Sequence, residues 1–525
     1  MAEAVNEKFF EERYKEVGVT EFFRKNLHML GYSGPLRSFT TLVHEYVTNS
    51  LDACEEGGII PEIVVTIREL KGENHYLLAI EDNGTGIPES YIPKLFGRML
   101  TGTKFHRYLQ QRGQQGIGSV GAMLYSQITT GKPIKIISST GEGDIHTVVM
   151  EIDVKKNDAK IHEASKSGGD WRGTKIVAEY KDILYRRGEQ GPFEYLRRTS
   201  IANPHAKITL IEPDGTKTVW DRVTKRLPAQ PKEMKPHPNG LKADDLRMMA
   251  HTSKARKLRS FLERDLTRVS KNKVDELEEK FGIDCDVDPH TITHEQAEAL
   301  ISAFKKMDFY APPTDGLVPI GESYIEKSLE EIVKPEFLAV VERSPAVYSG
   351  GIPFIVEVGL AYGGKAGRQG TENPLEIMRF ANRVPLIFDS GGCLLTKSVH
   401  SVDWKRYGLK NLEDAHFTIL INIVSPHIPY KSAGKLAIAN DEDVMEEVRF
   451  ALMESGRKLK RHLSQLRRRS VAIKKREILE RYVPEVALAL AYLTGKDAKK
   501  IEESLESLVR SRFEKQGLDF DEESD

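Results

Sequence analysis

The chain is poor in cysteine. Its three, Cys54, Cys285 and Cys393, lie far apart and form no CxxC pair, which argues against a structural zinc site or a disulfide framework and suits a reducing cytosol. Net charge is also scarce: 77 basic against 78 acidic side chains leave −1, so any nucleic-acid surface has to be local. No apolar run approaches the roughly 20 residues of a membrane span. Met1-Ala2-Glu3-Ala4 lacks the basic-then-apolar opening of a secretory signal, and a cytoplasmic protein without membrane contact is expected. A P-loop is missing as well. Gly97-Arg98-Met99-Leu100-Thr101-Gly102-Thr103-Lys104 ends in Thr-Lys, the reverse of the required pair, and follows no strong strand.

What is present is a soluble globular composition, 30% charged and 39% hydrophobic, long enough for about three domains. Residues 1–33 are polar with aromatic insertions. Residues 37–56 read as a helix, and 62–69, 75–81, 132–139, 146–153 and 174–180 as strands with branched and polar residues alternating. Strands on one side and helices on the other give an α+β layer. Prolines cluster at 227–238 as a linker. Residues 241–306 are helical in pattern, and a second break falls at 310–314. Strands return at 354–360, 386–389 and 417–424, residues 441–480 form one long helix, and the chain ends in the acidic run 519–525.

Chemistry concentrates in the first 125 residues. Glu45, Asn49 and Asp52 stand at i, i+4 and i+7, on one helix face. A carboxylate there can orient water for attack on a phosphate, and an amide oxygen suits Mg²⁺; a solvated helix face is the bland alternative. The turn Asp82-Asn83-Gly84-Thr85-Gly86 follows a strand. Its carboxylate can accept from an exocyclic amine, and Gly84 and Gly86 let backbone pass a flat ring. Gly116-Ile117-Gly118-Ser119-Val120-Gly121 spells GxGxxG, but no strand leads in, so the dinucleotide reading is rejected. A glycine loop opening a helix remains, with N–H groups free for phosphates.

In this order the motifs resemble the GHKL (Bergerat-fold) ATPases. The resemblance implies Glu45 as general base, Asn49 as Mg²⁺ ligand, Asp82 as adenine reader, and Gly113, Gln114, Gln115, Gly116, Ile117, Gly118, Ser119 and Val120 as phosphate lid. Asp52, Gly84, Gly86, Thr103 and Lys104 would line the same ATP site. The distal segment Ile428-Pro429-Tyr430-Lys431-Ser432-Ala433-Gly434-Lys435, with Trp404-Lys405-Arg406-Tyr407 and Lys235-Pro236-His237-Pro238, narrows the likeness to the B-subunit family of type IIB (VI) DNA topoisomerases. That likeness runs from about residue 20 to about 490. It implies a GHKL ATPase sandwich with an N-terminal arm (1–228), a helix–two-turns–helix insert (229–310), a Rossmann-like/S5-like transducer ending in a basic stalk helix (311–476), and a docking segment with the acidic tail (477–525). Lys435 is expected to touch the γ-phosphate. The lid departs in places: it reads Gly113-Gln114-Gln115-Gly116, and Ser119 stands where some relatives carry a bulkier residue.

Ten basic residues between Arg457 and Arg476 occur without an acidic one. A solvated stalk explains them less well than a footprint on DNA phosphates. Arg186, Arg187, Lys257, Trp404, Lys405, Arg406 and Arg468 are the DNA-contact candidates, without a base-reading pattern. Asp284, Asp286 and Asp288 read as a loop between helices and not as a metal site. No Toprim-like constellation and no tyrosine in a helix–turn–helix context is found. The resemblance therefore implies a separate A subunit that cuts DNA in an A2B2 heterotetramer, an ATP-dependent dimer of this chain, and double-stranded DNA bound without sequence preference. A chaperone or mismatch-repair clamp of the same ATPase class, or a DNA scaffold with a dead ATPase, are the competing functions.

Overall fold

The computed structural model describes residues 19–99, 108–113, 118–432 and 434–514. The chain divides into two units, Met1–Val402 with Glu413–Met453 and Asp403–Leu412 with Glu454–Asp525. The first unit opens with α1 (Val19–Lys25) and α2 (Pro35–Glu56). Pro35 takes the first position of α2, where its missing N–H costs nothing, and Gly34 supplies the left-handed entry at φ 77°. Then follow β1 (Glu62–Glu69), β2 (Tyr76–Asp82), α3 (Ile92–Gly97), α4 (Gly118–Thr130), β3 (Ile134–Thr140), β4 (Asp144–Asp153), β5 (Asp158–Gly168), β6 (Arg172–Tyr180), α5 (Pro192–Ala202), β7 (Lys207–Ile211) and β8 (Lys217–Trp220). The sheet has eight strands in the order β5-β4-β3-β6-β2-β1-β7-β8. All its pairs are antiparallel except β1 with β7. Phe39, Leu42, Val43 and Val47 of α2 and Met123 and Leu124 of α4 bury against Val65, Ile67, Leu78 and Ile80. Each fully buried aliphatic or aromatic side chain contributes about 1.5–3 kcal/mol.

The period of the strand decides where one carboxylate goes. In β2 Tyr76, Leu78, Ile80 and Asp82 alternate inward, so Asp82 continues an apolar face and is buried under α2.

Four helices follow: α6 (Ala243–Thr252), α7 (Leu258–Asp265), α8 (Lys271–Phe281) and α9 (His294–Phe304). They close their own core around Leu246, Phe261, Leu277, Leu300 and Phe304. A capping box of Thr293 with Gln296 starts α9. Between α8 and α9, Asp286 pairs with Lys257 at 3.1 Å and Asp288 accepts from His290 N–H at 3.0 Å.

Next come α10 (Glu322–Val333), β9 (Phe337–Glu342), β10 (Ala346–Tyr348), β11 (Ile352–Tyr362), β12 (Glu376–Ala381), β13 (Val384–Pro385), α11 (Leu394–Ser401) and β14 (Phe417–Val424). The second sheet runs β10-β11-β14-β12-β13, with β9 also on β11. β12 and β14 are parallel, which requires a crossover, and α11 lies in that connection. β11 and β14 are buried almost throughout. At Gly359 an added Cβ would lie 2.7 Å from Leu329 Cδ1, so glycine lets α10 sit close. The expected strand 386–389 is not formed. Ile387 and Phe388 leave the sheet for the core of the first layer, and the buried Arg379 guanidinium donates to the carbonyls of Leu386 and Phe388 at 2.6 and 2.8 Å. A side chain thus replaces the missing strand partner.

The long helix α12 (Glu442–Thr494) outruns the expected end at 480 and continues through Pro484; α13 (Ala498–Glu514) follows. In the second unit the Tyr407 ring lies against Gly456, where a Cβ would stand 2.8 Å away. Among the described residues no helix is long and apolar enough to cross a membrane.

Candidate functional site

The face expected on α2 splits along its length. Glu45 is partly exposed and Asn49 exposed. Asp52 is buried and bound to Arg112 Nη1 at 2.7 Å. Asp52 is therefore corrected from a pocket-facing group to an internal anchor, because a buried carboxylate needs a paired cation. Glu45 reaches the start of α4. A Cβ on Gly118 would fall 1.8 Å from Glu45 Oε2, so glycine there makes room for the carboxylate at a helix N-terminus, where negative charge is favoured. The Asn49 amide has no hydrogen-bond partner among the described residues and faces outward with a hard oxygen donor.

Asp82 is tightly dressed. Oδ2 accepts from Ser50 Oγ at 2.7 Å, and Oδ1 from the N–H of Gly84 at 3.0 Å and of Thr174 at 3.2 Å. Burial pushes its carboxyl above the usual range, and these donors pull it partly back. A carboxylate offers about four acceptor positions, and three of them are filled here from inside the protein. Gly84 sits 3.2 Å from Ala53 Cβ, measured from an added Cβ. Gly86, at φ 69°, would place one 1.9 Å from the Ser139 carbonyl. Ser50, Gly173 and Thr174 complete this corner. Ser50 lies beside the residues singled out on α2, but Thr174 comes through the β2–β6 register and Gly173, paired with Ser139 of β3, comes with it, which no local motif announces.

Gly113 leads into the glycine loop. Val120 is buried in the core, so a place in the lid would rest on its backbone alone. Thr103, Lys104, Gln114, Gln115, Gly116 and Ile117 lie outside the described residues.

Lys435 arrives from the distal loop, which Tyr430 and Ile438 close with a bridge. With φ 52° it directs Nζ to the Arg112 carbonyl at 3.4 Å. Its charge also reaches His44: burial chiefly lowers that imidazole, Glu45 raises it, and Lys435 lowers it further. Glu45, the start of α4 and the distal lysine are thus brought to one region around His44, while Asp82 sits in its own corner beneath Ser50.

Comparison with known proteins gives the family. The family model "Histidine kinase-, DNA gyrase B-, and HSP90-like ATPase" matches residues 35–156, and "Topoisomerase VI B subunit, transducer" matches 312–475. The B subunit of the type 2 DNA topoisomerase 6 from Pyrococcus horikoshii is 47% identical over 98% of both chains. Its counterpart from Methanothermobacter thermautotrophicus is 46% identical over 95% of this chain and 96% of its own. The chain belongs to the topoisomerase VI B-subunit family. A solved structure of the ATPase region of Saccharomyces cerevisiae topoisomerase II covers 87% of this chain and 99% of its own at 11% identity and a TM-score of 0.41, a likeness too weak to add to that assignment.

In this member of the topoisomerase VI B family the DNA-side candidates have unequal freedom. Arg186, Lys405, Arg406 and Arg468 are exposed. Arg406 pairs loosely with Asp403 at 3.2 Å. Lys257 is exposed but paired with Asp286. Arg187 is exposed too, but gives Nε to Glu212 at 2.7 Å and stacks 4.6 Å above Phe193, so its guanidinium is already paired at the surface. Trp404 is buried edge-on against Tyr407, ring centroids 6.1 Å apart. It is therefore corrected from a DNA-contact candidate to a core residue.

Proposed function

We propose that this chain is the ATP-hydrolysing B subunit of a type IIB DNA topoisomerase. The reading is supported by Glu45 at the Gly118 start of α4, by Lys435, whose charge reaches the neighbouring His44, and by the strand-end Asp82 held by Ser50. ATP enters as substrate. Asp82 accepts from the adenine amine, the N–H groups at the start of α4 face the phosphates, and Glu45 takes the proton of the attacking water. Asn49 fits one Mg²⁺ held otherwise by phosphate oxygens and water, as that ion prefers; bound there, it would neutralise phosphate charge. Lys435, a compact flexible cation, suits the γ-phosphate and would report its presence to the second sheet.

Two bound ATP close a gate between two copies of this chain, and hydrolysis resets it. A separate A subunit makes and reseals the double-strand break in an A2B2 complex, so that supercoils relax and catenanes separate. Exposed basic residues, Arg468 foremost, hold DNA phosphates without reading sequence. The setting is the cytoplasm, at the nucleoid. The division into ATPase (1–228), helical insert (229–310), transducer (311–476) and docking tail (477–525) is part of this proposal, supported by the separate core of the helical insert.

The test is ATPase and relaxation assays with the A subunit and Glu45→Gln. Nucleotide binding is expected to persist while kcat falls by about 10²–10⁴, and relaxation is lost. Unchanged hydrolysis would remove Glu45 from its role, and relaxation by this chain alone would contradict the division of labour.

A further inference from the structure

The chain entering the glycine loop is strapped down from the distal half. Gln110 makes a two-way bond to the Val318 backbone, 2.9 Å to its carbonyl and 2.6 Å from its N–H. Asn382 Nδ2 donates to the Gln111 carbonyl at 3.3 Å, and Lys435 to that of Arg112. The Arg112 guanidinium is buried and gripped from α2, by Asp52 at 2.7 Å and Glu55 at 2.5 and 3.1 Å. Glu55 in turn accepts from Arg383 Nη2 at 3.1 Å and contacts His205 Nε2 at 2.8 Å.

Asn382 and Arg383 form the turn between β12 and β13, both left-handed at φ 49° and 67°. Such a conformation costs energy for residues with a Cβ, and it persists only when its surroundings over-determine it. Here Asn382 Nδ2 donates to the Ser425 carbonyl and its Oδ1 accepts from the Ser425 N–H, each at 2.9 Å, which aims Arg383 at Glu55. Burial raises the Glu55 carboxyl, but the Arg112 and Arg383 charges hold it well below the usual range. Burial and the neighbouring Arg112 pull Arg383 down, so two cations compete for one carboxylate. A buried ion network of this kind is a weak source of stability and a good means of fixing one arrangement.

We propose that Glu55 and Arg383 are positioning residues: the turn of the second sheet, acting through Glu55, fixes Arg112 on the helix that bears Glu45, so that the Arg112 carbonyl meets Lys435. The inference rests on the ATPase reading above and concerns how the two halves are kept in register for hydrolysis.

The experiment uses the full chain with its A subunit and measures DNA-stimulated ATP hydrolysis and melting temperature. Arg383→Gln is expected to fold, to lower kcat about tenfold by misplacing the reacting groups, and to leave KM for ATP within about twofold. Arg383→Lys, which keeps the charge, should restore at least about half of kcat. If Arg383→Gln folds and kcat stays within about twofold of the parent, the proposal falls. It falls also if kcat and KM change together with no recovery by lysine. Should Arg383→Gln not fold, Glu55→Gln is read by the same criteria, and failure of both to fold makes the link structural and overturns the proposal. A parent chain that hydrolyses no ATP sinks the ATPase reading instead, which separates the two failures.

Discussion

Gly118 and Gly86 differ in what a methyl group would meet. On Gly118 it would strike the tip of Glu45, a flexible side chain. Gly118→Ala should therefore melt close to the parent while losing hydrolysis, because the carboxylate has to leave its place; calorimetry beside an ATPase assay checks this. On Gly86 it would strike the Ser139 backbone at a left-handed φ. Gly86→Ala should lose on the order of 2 kcal/mol or more, seen in denaturant melts. Asp82→Asn keeps the shape but turns one acceptor into a donor facing the Gly84 and Thr174 N–H groups or Ser50. It should weaken ATP binding at least about tenfold by calorimetric titration.

At the scale of elements, the basic stretch of α12 should act through charge alone. Reversing Arg467, Arg468 and Arg469 to Glu should weaken duplex binding equally for unrelated sequences and flatten its salt dependence, by about one slope unit per lost phosphate contact. A change that depends on DNA sequence would count against phosphate-only contact. Elements with a clean period could be read from the chain itself: α2, β1, β2, β4 and β6 stand within a residue or two of expectation because apolar spacing marks one buried face, and β14, buried at every position, because of its continuous run of branched apolar residues. β5 could not, since it is exposed along nearly its whole length and carries no alternation. β13 has only two residues. The segment 386–389 looked like a strand because Leu386, Ile387 and Phe388 are buried, but burial against the other layer leaves the same apolar run as burial in a sheet. The Asp82 corner was half legible: its carboxylate and glycines lie in one motif, while Thr174 donates across the sheet. Asp52 and Arg112 were opaque, because an ion pair 60 positions apart has no period.

The whole molecule carries a pH signature. Burial chiefly lowers the imidazoles of His44, His205, His237 and His427 below the usual 6.5; the Glu55 hydrogen bond partly opposes this at His205. Between each lowered value and 6.5 the unfolded chain binds a proton that the fold refuses. Stability therefore falls as pH drops below 6.5 through that window. His290, raised by Asp288, opposes them only from the exposed surface. Glu55, held low, adds stability above the unfolded carboxylate range and loses it in stronger acid, as pH falls through its folded value. Urea melts from pH 7.5 to 5.5 should show a declining midpoint, and His205→Gln should make the decline shallower; a flat profile would contradict the buried neutral histidines.

The partners of Asp82 also set terms for inhibitors. On the proposed adenine contact, with three of its acceptor positions already occupied inside the protein, a competitive compound is expected to gain from a single N–H or O–H pointed at this carboxylate on a flat scaffold. A second donor aimed there would have to displace Ser50 or a backbone amide. Medicinal chemistry on this cleft should find affinity rising with the first donor and falling with the next.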